Sequence, residues 1–143
     1  MPVLDRWLLI TAILMTTAVV IETLATVLED TRDPVTIERV ETLNSPVAPG
    51  TALVVRIWRE KVRDDCLVQS ARSAIDEDGR SFPVGTVTVK GGPVGTEYVD
   101  VLYPLPGDLP VGTYVLRVQL TYLCPDGPHL VAQPDARFRV EGE

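Results

Sequence analysis

The chain is poor in the residues that do chemistry. His129 is the one histidine, and Cys66 and Cys124 are the only cysteines. A Ser or Cys nucleophile needs a nearby base, usually histidine, and a zinc site needs three or four convergent Cys and His ligands. A lone histidine in the turn-rich stretch Pro125 to Pro134 therefore reads as structural or solvent-exposed, and neither catalysis nor a cofactor or metal is expected. Basic clusters are missing too. Thirteen Lys and Arg are scattered among twenty acids, for a net charge of -7, which excludes the positive stripe that phosphate recognition requires and argues against nucleic acid as a partner. Gly91-Gly92-Pro93-Val94-Gly95 is followed by neither a helix nor a lysine, so it is no phosphate cradle. Asp76-Glu77-Asp78-Gly79 lacks the spacing and distal Glu of a calcium loop and reads as an acidic turn. Asp64-Asp65 and Glu29-Asp30 read as solvated boundary charges. No internal repeat is visible.

What the chain does have is one long apolar run, Trp7 to Leu28, interrupted by a single charge. As an α-helix it spans roughly 33 Å, enough for a bilayer core. The sequence thus divides into a short tail (1–6), an apolar transmembrane-type helix (7–31) and a β-rich domain (32–143). Three readings of the run compete: a retained single-pass anchor through residues 7–28, a cleaved signal peptide, and a helix buried against other subunits of an assembly. The signal-peptide reading is weakened by a tail carrying only Arg6 and the amine against Asp5, and by the lack of an A-x-A site. Glu29, Asp30 and Asp33 after the run, opposed by Arg32 alone, favour an exported C-terminal domain, in the periplasm or at the cell surface. At 100° per residue Thr11, Met15, Ala18, Glu22, Ala25 and Glu29 share one face, which is expected to associate with another helix or a second copy of the chain. The competing reading places Glu22 at the outer interface, pointing to water.

After Asp33-Pro34 the apolar period changes to two. Val35 to Leu43, Thr51 to Lys61, Leu67 to Ile75, Ser81 to Val84, Thr86 to Val89, Thr96 to Tyr103, Thr113 to Cys124 and Ala136 to Val140 read as short strands. Twelve prolines and ten glycines punctuate the chain at short intervals. In Thr51 to Lys61, Leu53, Val55 and Ile57 face inward while Arg56, Trp58 and Glu60 face outward. Trp58, with Val54, forms a candidate partner patch, against the plainer reading of a residue covering the sandwich flank or a membrane interface. Tyr98 and Tyr122 read as core or sheet-edge residues. Six to eight antiparallel strands with no helical period between them imply an all-β sandwich of immunoglobulin-like type. About 110 residues suffice for one such domain. An even cysteine pair in an exported domain reads as a Cys66–Cys124 disulfide. If the strand after Cys66 pairs antiparallel with the one ending at Cys124, the bridge staples one end of the sandwich. The loops Asn44 to Gly50, Asp76 to Ser81 and Pro104 to Gly112 then lie at the other end.

Leu109-Pro110-Val111-Gly112-Thr113-Tyr114 resembles the L-P-x-G-x-Y entry to the penultimate strand of many bacterial and phage immunoglobulin-like domains. That resemblance covers about residues 35 to 141 and implies that the Tyr114 hydroxyl closes a corner against backbone. The order of Trp58 before Cys66 departs from antibody-type domains. The wider layout also resembles uncharacterised phage-encoded proteins with an N-terminal transmembrane helix and an immunoglobulin-like domain. The elements that carry it are Arg32-Asp33-Pro34-Val35, Pro46 to Gly50, Cys66, Asp76 to Arg80 and Tyr122-Leu123-Cys124. The expectation is a non-enzymatic membrane-anchored protein that makes protein contacts outside the membrane. A virion structural component (coat, decoration, portal or tail) is the alternative, and a spanin-like lysis accessory a weaker one.

Overall fold

The computed structural model describes residues 10–16 and 31–142. The chain divides into two units, Met1–Thr31 and Arg32–Glu143. In the first, residues 10–16 are helical, a length of roughly 10 Å against the ~30 Å of a hydrocarbon core. Among the described residues no helix is long and apolar enough to cross a membrane. This overturns the single-pass location expected from the apolar run: the helical hydrogen bonding that is described covers only its early part. Thr11 and Met15 lie in this helix and are exposed. Ala18, Glu22, Ala25 and Glu29, the rest of the expected helix-association face, lie outside the described residues.

The second unit is built from antiparallel strands. They are β1 (Val35–Thr42), β2 (Ala52–Lys61), β3 (Leu67–Asp76), β4 (Ser81–Lys90), β5 (Gly95–Pro104), β6 (Gly112–Cys124), β7 (Gly127–Ala132) and β8 (Ala136–Val140). One sheet has the order β1-β2-β5. The other runs β4-β3-β6, after which β7 pairs with the later half of β6 and β8 with its earlier half. Two-residue alternation gives each strand one apolar face, and the two apolar faces are buried against each other. Leu53 and Val55 from the first sheet share one core cluster with Ala74 and Leu116 of the second, all four fully buried. Phe138 and Val140 of β8 complete it.

Two strand expectations need correction. Ser81 to Val84 and Thr86 to Val89 are not separate strands but one, β4, whose register against β3 shifts between Arg72 and Ser73, opposite Gly85. Gly85 has φ +108°, a backbone region that a side chain disfavours, and it carries the strand through this bulge. The stretch Pro125 to Pro134 is not all turn, since β7 occupies most of it.

The expected disulfide is formed. Leu67 pairs with Leu123, and Cys66 and Cys124 extend that ladder by one step, with Cα atoms 4.3 Å apart. The bridge therefore joins neighbours within one sheet and lies at one end of the fold. At the other end Tyr114 donates its hydroxyl to the Pro110 carbonyl at 2.6 Å. Its ring stacks on Phe138 (centroids 5.5 Å apart) and meets Phe82 edge-on. The loop that enters β6 is held near β2 by the Leu105 N–H, which donates to the Thr51 carbonyl at 3.1 Å.

Candidate recognition surface

The register of the three-stranded sheet sets side chains in rows on its outer face. Arg39, Trp58 and Tyr98 form one row, and Glu41, Arg56 and Asp100 the next. Val54 pairs with Leu102 further along. In the first row the Arg39 guanidinium lies over the Trp58 ring, 3.7 Å from its centroid, and the Trp58 and Tyr98 rings are tilted at 51° with centroids 6.2 Å apart. Arg56 covers Tyr98 at 4.3 Å and grips Asp100 with both arms, Nε to Oδ1 at 2.8 Å and Nη2 to Oδ2 at 2.9 Å. That hydrogen bond holds the Asp100 carboxyl below its ordinary range and raises Arg56. The interleaved rings and guanidinium planes fix one another's rotamers.

The surface is open. Tyr98 is 54% exposed and Leu102 61%; Val54 and Trp58 are half-buried. Leu43 adds an exposed side chain beyond the end of β1. Of the expected patch, Val54 and Trp58 thus sit on one face, joined by Arg39, Tyr98 and Leu102, which the sequence reading did not include. Parity within Thr96 to Tyr103 already puts Tyr98 and Leu102 on a common face. Their place beside Trp58 is fixed by the β2–β5 register, which no local pattern encodes.

A second cluster lies at the disulfide end. His129, half-buried on β7, has Nδ1 3.0 Å from Asp33 Oδ1 and Nε2 2.7 Å from Asp126 Oδ2. Arg63, nearly fully buried, ion-pairs with Asp126 at 2.9 Å and with Asp65 at 3.1 Å, and donates to the Arg32 carbonyl. The Asp33 hydrogen bond, then that of Asp126, raises the His129 pKa, while Arg63 foremost lowers that of Asp126. Cys124, Asp126 and His129 converge within 4.8 Å. They do not fit a metal, since the Cys124 sulfur is in the disulfide and a thiolate is the ligand form. Both histidine nitrogens also face carboxylates. Of the two roles expected of this histidine, structural or solvent-exposed, the network fits the structural one.

The acidic turn is closed by its own residues. Asp76 accepts from the Asp78 and Arg80 backbone N–H groups at 3.0 and 2.8 Å, and from Arg80 Nε at 2.8 Å. This is a side-chain-capped turn.

No protein-family model and no curated protein matches the chain. Among solved structures, one similar chain is the Pseudomonas fluorescens alkylpurine DNA glycosylase AlkC bound to DNA containing an abasic site analog. The likeness has 14% identity and a TM-score of 0.43, covering 78% of this chain but 31% of that one. Another is the sensor domain of the anti-sigma factor RsgI4 of Pseudobacteroides cellulosolvens, with 10% identity and a TM-score of 0.40, covering 79% of this chain and all of that one.

Proposed function

We propose that residues 32–143 form an immunoglobulin-like recognition domain that binds a partner protein without transforming it. The outer face of the β1-β2-β5 sheet is the docking surface. The observation that carries this reading is the row Arg39, Trp58, Tyr98, extended by Arg56 and flanked by exposed Leu43 and Leu102. Trp, Tyr and Arg are the residues that anchor protein interfaces, and rings held in place before contact lose little entropy on binding. The immunoglobulin-like assignment is supported by the strand order and the Tyr114 corner, while the bridge within one sheet departs from the antibody pattern. The proposal extends to a phage-encoded origin, for which the layout of motifs is the support.

Site-specific photocrosslinking tests the reading. A photoreactive residue replacing Tyr98 in the full chain, expressed in its native host, is expected to give a discrete protein adduct that Leu102→Arg abolishes. The same probe replacing Leu130, 83% exposed on β7, is expected to give none. Identical adducts from both positions, or an adduct indifferent to Leu102→Arg, would overturn it. An adduct of twice the chain's mass would identify the partner as a second copy.

A further inference from the structure

Between the sheets, where the edge strands β4 and β5 lie on the same side, the core does not close. A cleft of about 480 Å³ opens there, walled by Val87 and Val89 of β4 and by Val99 and Val101 of β5. That volume falls in the range of roughly 300–1,000 Å³ usual for small-molecule sites. The walls are apolar, but the inward face of the strands also carries cations. On β2 the inward run Leu53, Val55, Ile57 continues as Arg59 and Lys61, and Lys61 is 2% exposed. Lys61 donates to the Gly92 carbonyl, and Arg59 lies 3.5 Å from Glu97, while its Nε is buried without a hydrogen-bond acceptor.

Arg72, on β3, differs in having no carboxylate beside it among the described residues. Its guanidinium rests over the Tyr103 ring at 5.2 Å, and its Nε is buried without a hydrogen-bond acceptor. Gln133, in the connection between β7 and β8, lies beside the Tyr103 hydroxyl, and its Nε2 is likewise a buried donor without a hydrogen-bond acceptor. Arg72, Gln133 and Tyr103 all line the cleft, as does the buried Ser70 two residues before Arg72. Buried donors without acceptors cost free energy. Here two of them, on Arg72 and Gln133, flank one tyrosine beside an apolar slot, and a third, Arg59 Nε, belongs to the lining of the same cleft.

We propose that this cleft binds an amphipathic anion, a free single-chain carboxylate, with its head accepting hydrogen bonds from Arg72 and Gln133 and its alkyl chain lying along the valines of β4 and β5. The head supplies the acceptor both donors lack, and the charge offsets the excess of cations over Glu97. A polar ligand without an alkyl chain would leave the valine walls facing water. A peptide strand would bring further polar backbone against them. This site is separate from the outer face of the β1-β2-β5 sheet, so the two proposals fail independently.

The test is calorimetric titration of the full chain with decanoate below its micellar concentration, beside decanol and methyl decanoate. Decanoate is expected to saturate with one ligand per chain, the two neutral analogues binding at least tenfold more weakly, because an ionic head forms charge-assisted hydrogen bonds. Arg72→Gln is expected to weaken decanoate about tenfold and leave the analogues unchanged. Val87→Glu, at an exposed edge position, is expected to abolish decanoate binding while far-ultraviolet circular dichroism stays that of the parent. Equal binding of decanoate and decanol, indifference to both substitutions, or no saturable binding by the parent chain would each overturn the proposal.

Discussion

The Arg39 guanidinium lies 3.7 Å from the centroid of the Trp58 ring, on strands paired directly at that position. An exposed cation–π contact of this kind stabilises by about 0.5–1 kcal/mol. Arg39→Ala should lower the urea unfolding free energy by that amount, and the further removal of Trp58 should show that the two effects are not additive. Additive losses would mean that the pair does not interact.

The disulfide closes a loop of 58 residues, for which chain entropy gives about 4 kcal/mol of stabilisation. Replacing Cys66 and Cys124 together with serine should lower the unfolding free energy by roughly 2–5 kcal/mol. An unfolding midpoint insensitive to reductant would contradict this.

His129 sits between two carboxylates that raise its pKa above the ordinary 6.5. Its contribution to stability is therefore complete below pH 6.5 and is lost as pH rises through the raised, folded-state value. Asp126 behaves oppositely, because Arg63 lowers its pKa: its contribution holds above the ordinary 3.8 and disappears as pH falls through the lowered value. Denaturation followed across this range should show a decline on the alkaline side that His129→Gln abolishes. Nuclear magnetic resonance titration of the imidazole should give a midpoint above 6.5.

Tyr114→Phe removes the donor to the Pro110 carbonyl and keeps the ring contacts with Phe82 and Phe138. Since Pro110 is itself exposed, its carbonyl can turn to water, and the expected loss is about 0.5–1.5 kcal/mol. Thermal unfolding checks it, and an unchanged midpoint would show that the hydroxyl does not hold the corner.

Leu116 is fully buried where the sheets meet, so Leu116→Ala should cost about 2–5 kcal/mol through lost burial and a cavity. Leu130, 83% exposed, should tolerate alanine within about 0.5 kcal/mol. Urea titrations of the two variants decide; similar losses would mean that the core is misplaced.

Most of the strands were legible because two-residue alternation is a local signal. Leu53, Val55 and Ile57 lie inward as that alternation requires, and Tyr114, Leu116, Val118 and Tyr122 all proved buried. β7 was hidden by Pro125, Gly127 and Pro128, whose turn chemistry outweighs the apolar pair Leu130 and Val131 in a short edge strand. The same alternation, carried past Ile57, puts Arg59 and Lys61 inside, but their charge argues for water until the cleft that accommodates them is known. Tyr98, expected in the core or at a sheet edge, lies on the edge strand β5 with its ring on the open outer face, where its neighbours are set by pairing with β2. His129 meets Asp33 across 96 positions of chain, a proximity that only the assembled fold creates. The apolar run from Trp7 to Leu28 has a composition suited to a lipid span, yet no described helix has the length for one.

The placement of the covalent link has a mechanical consequence. A domain pulled from its two ends can pay out only the segments outside the bridge, because the stretch between the sulfurs, a sequence separation of 58, stays out of the load path. At about 3.3–3.6 Å per residue, roughly 200 Å of contour length is withheld until the bond is reduced. Under tension the oxidised and reduced forms would thus be two springs of very different reach.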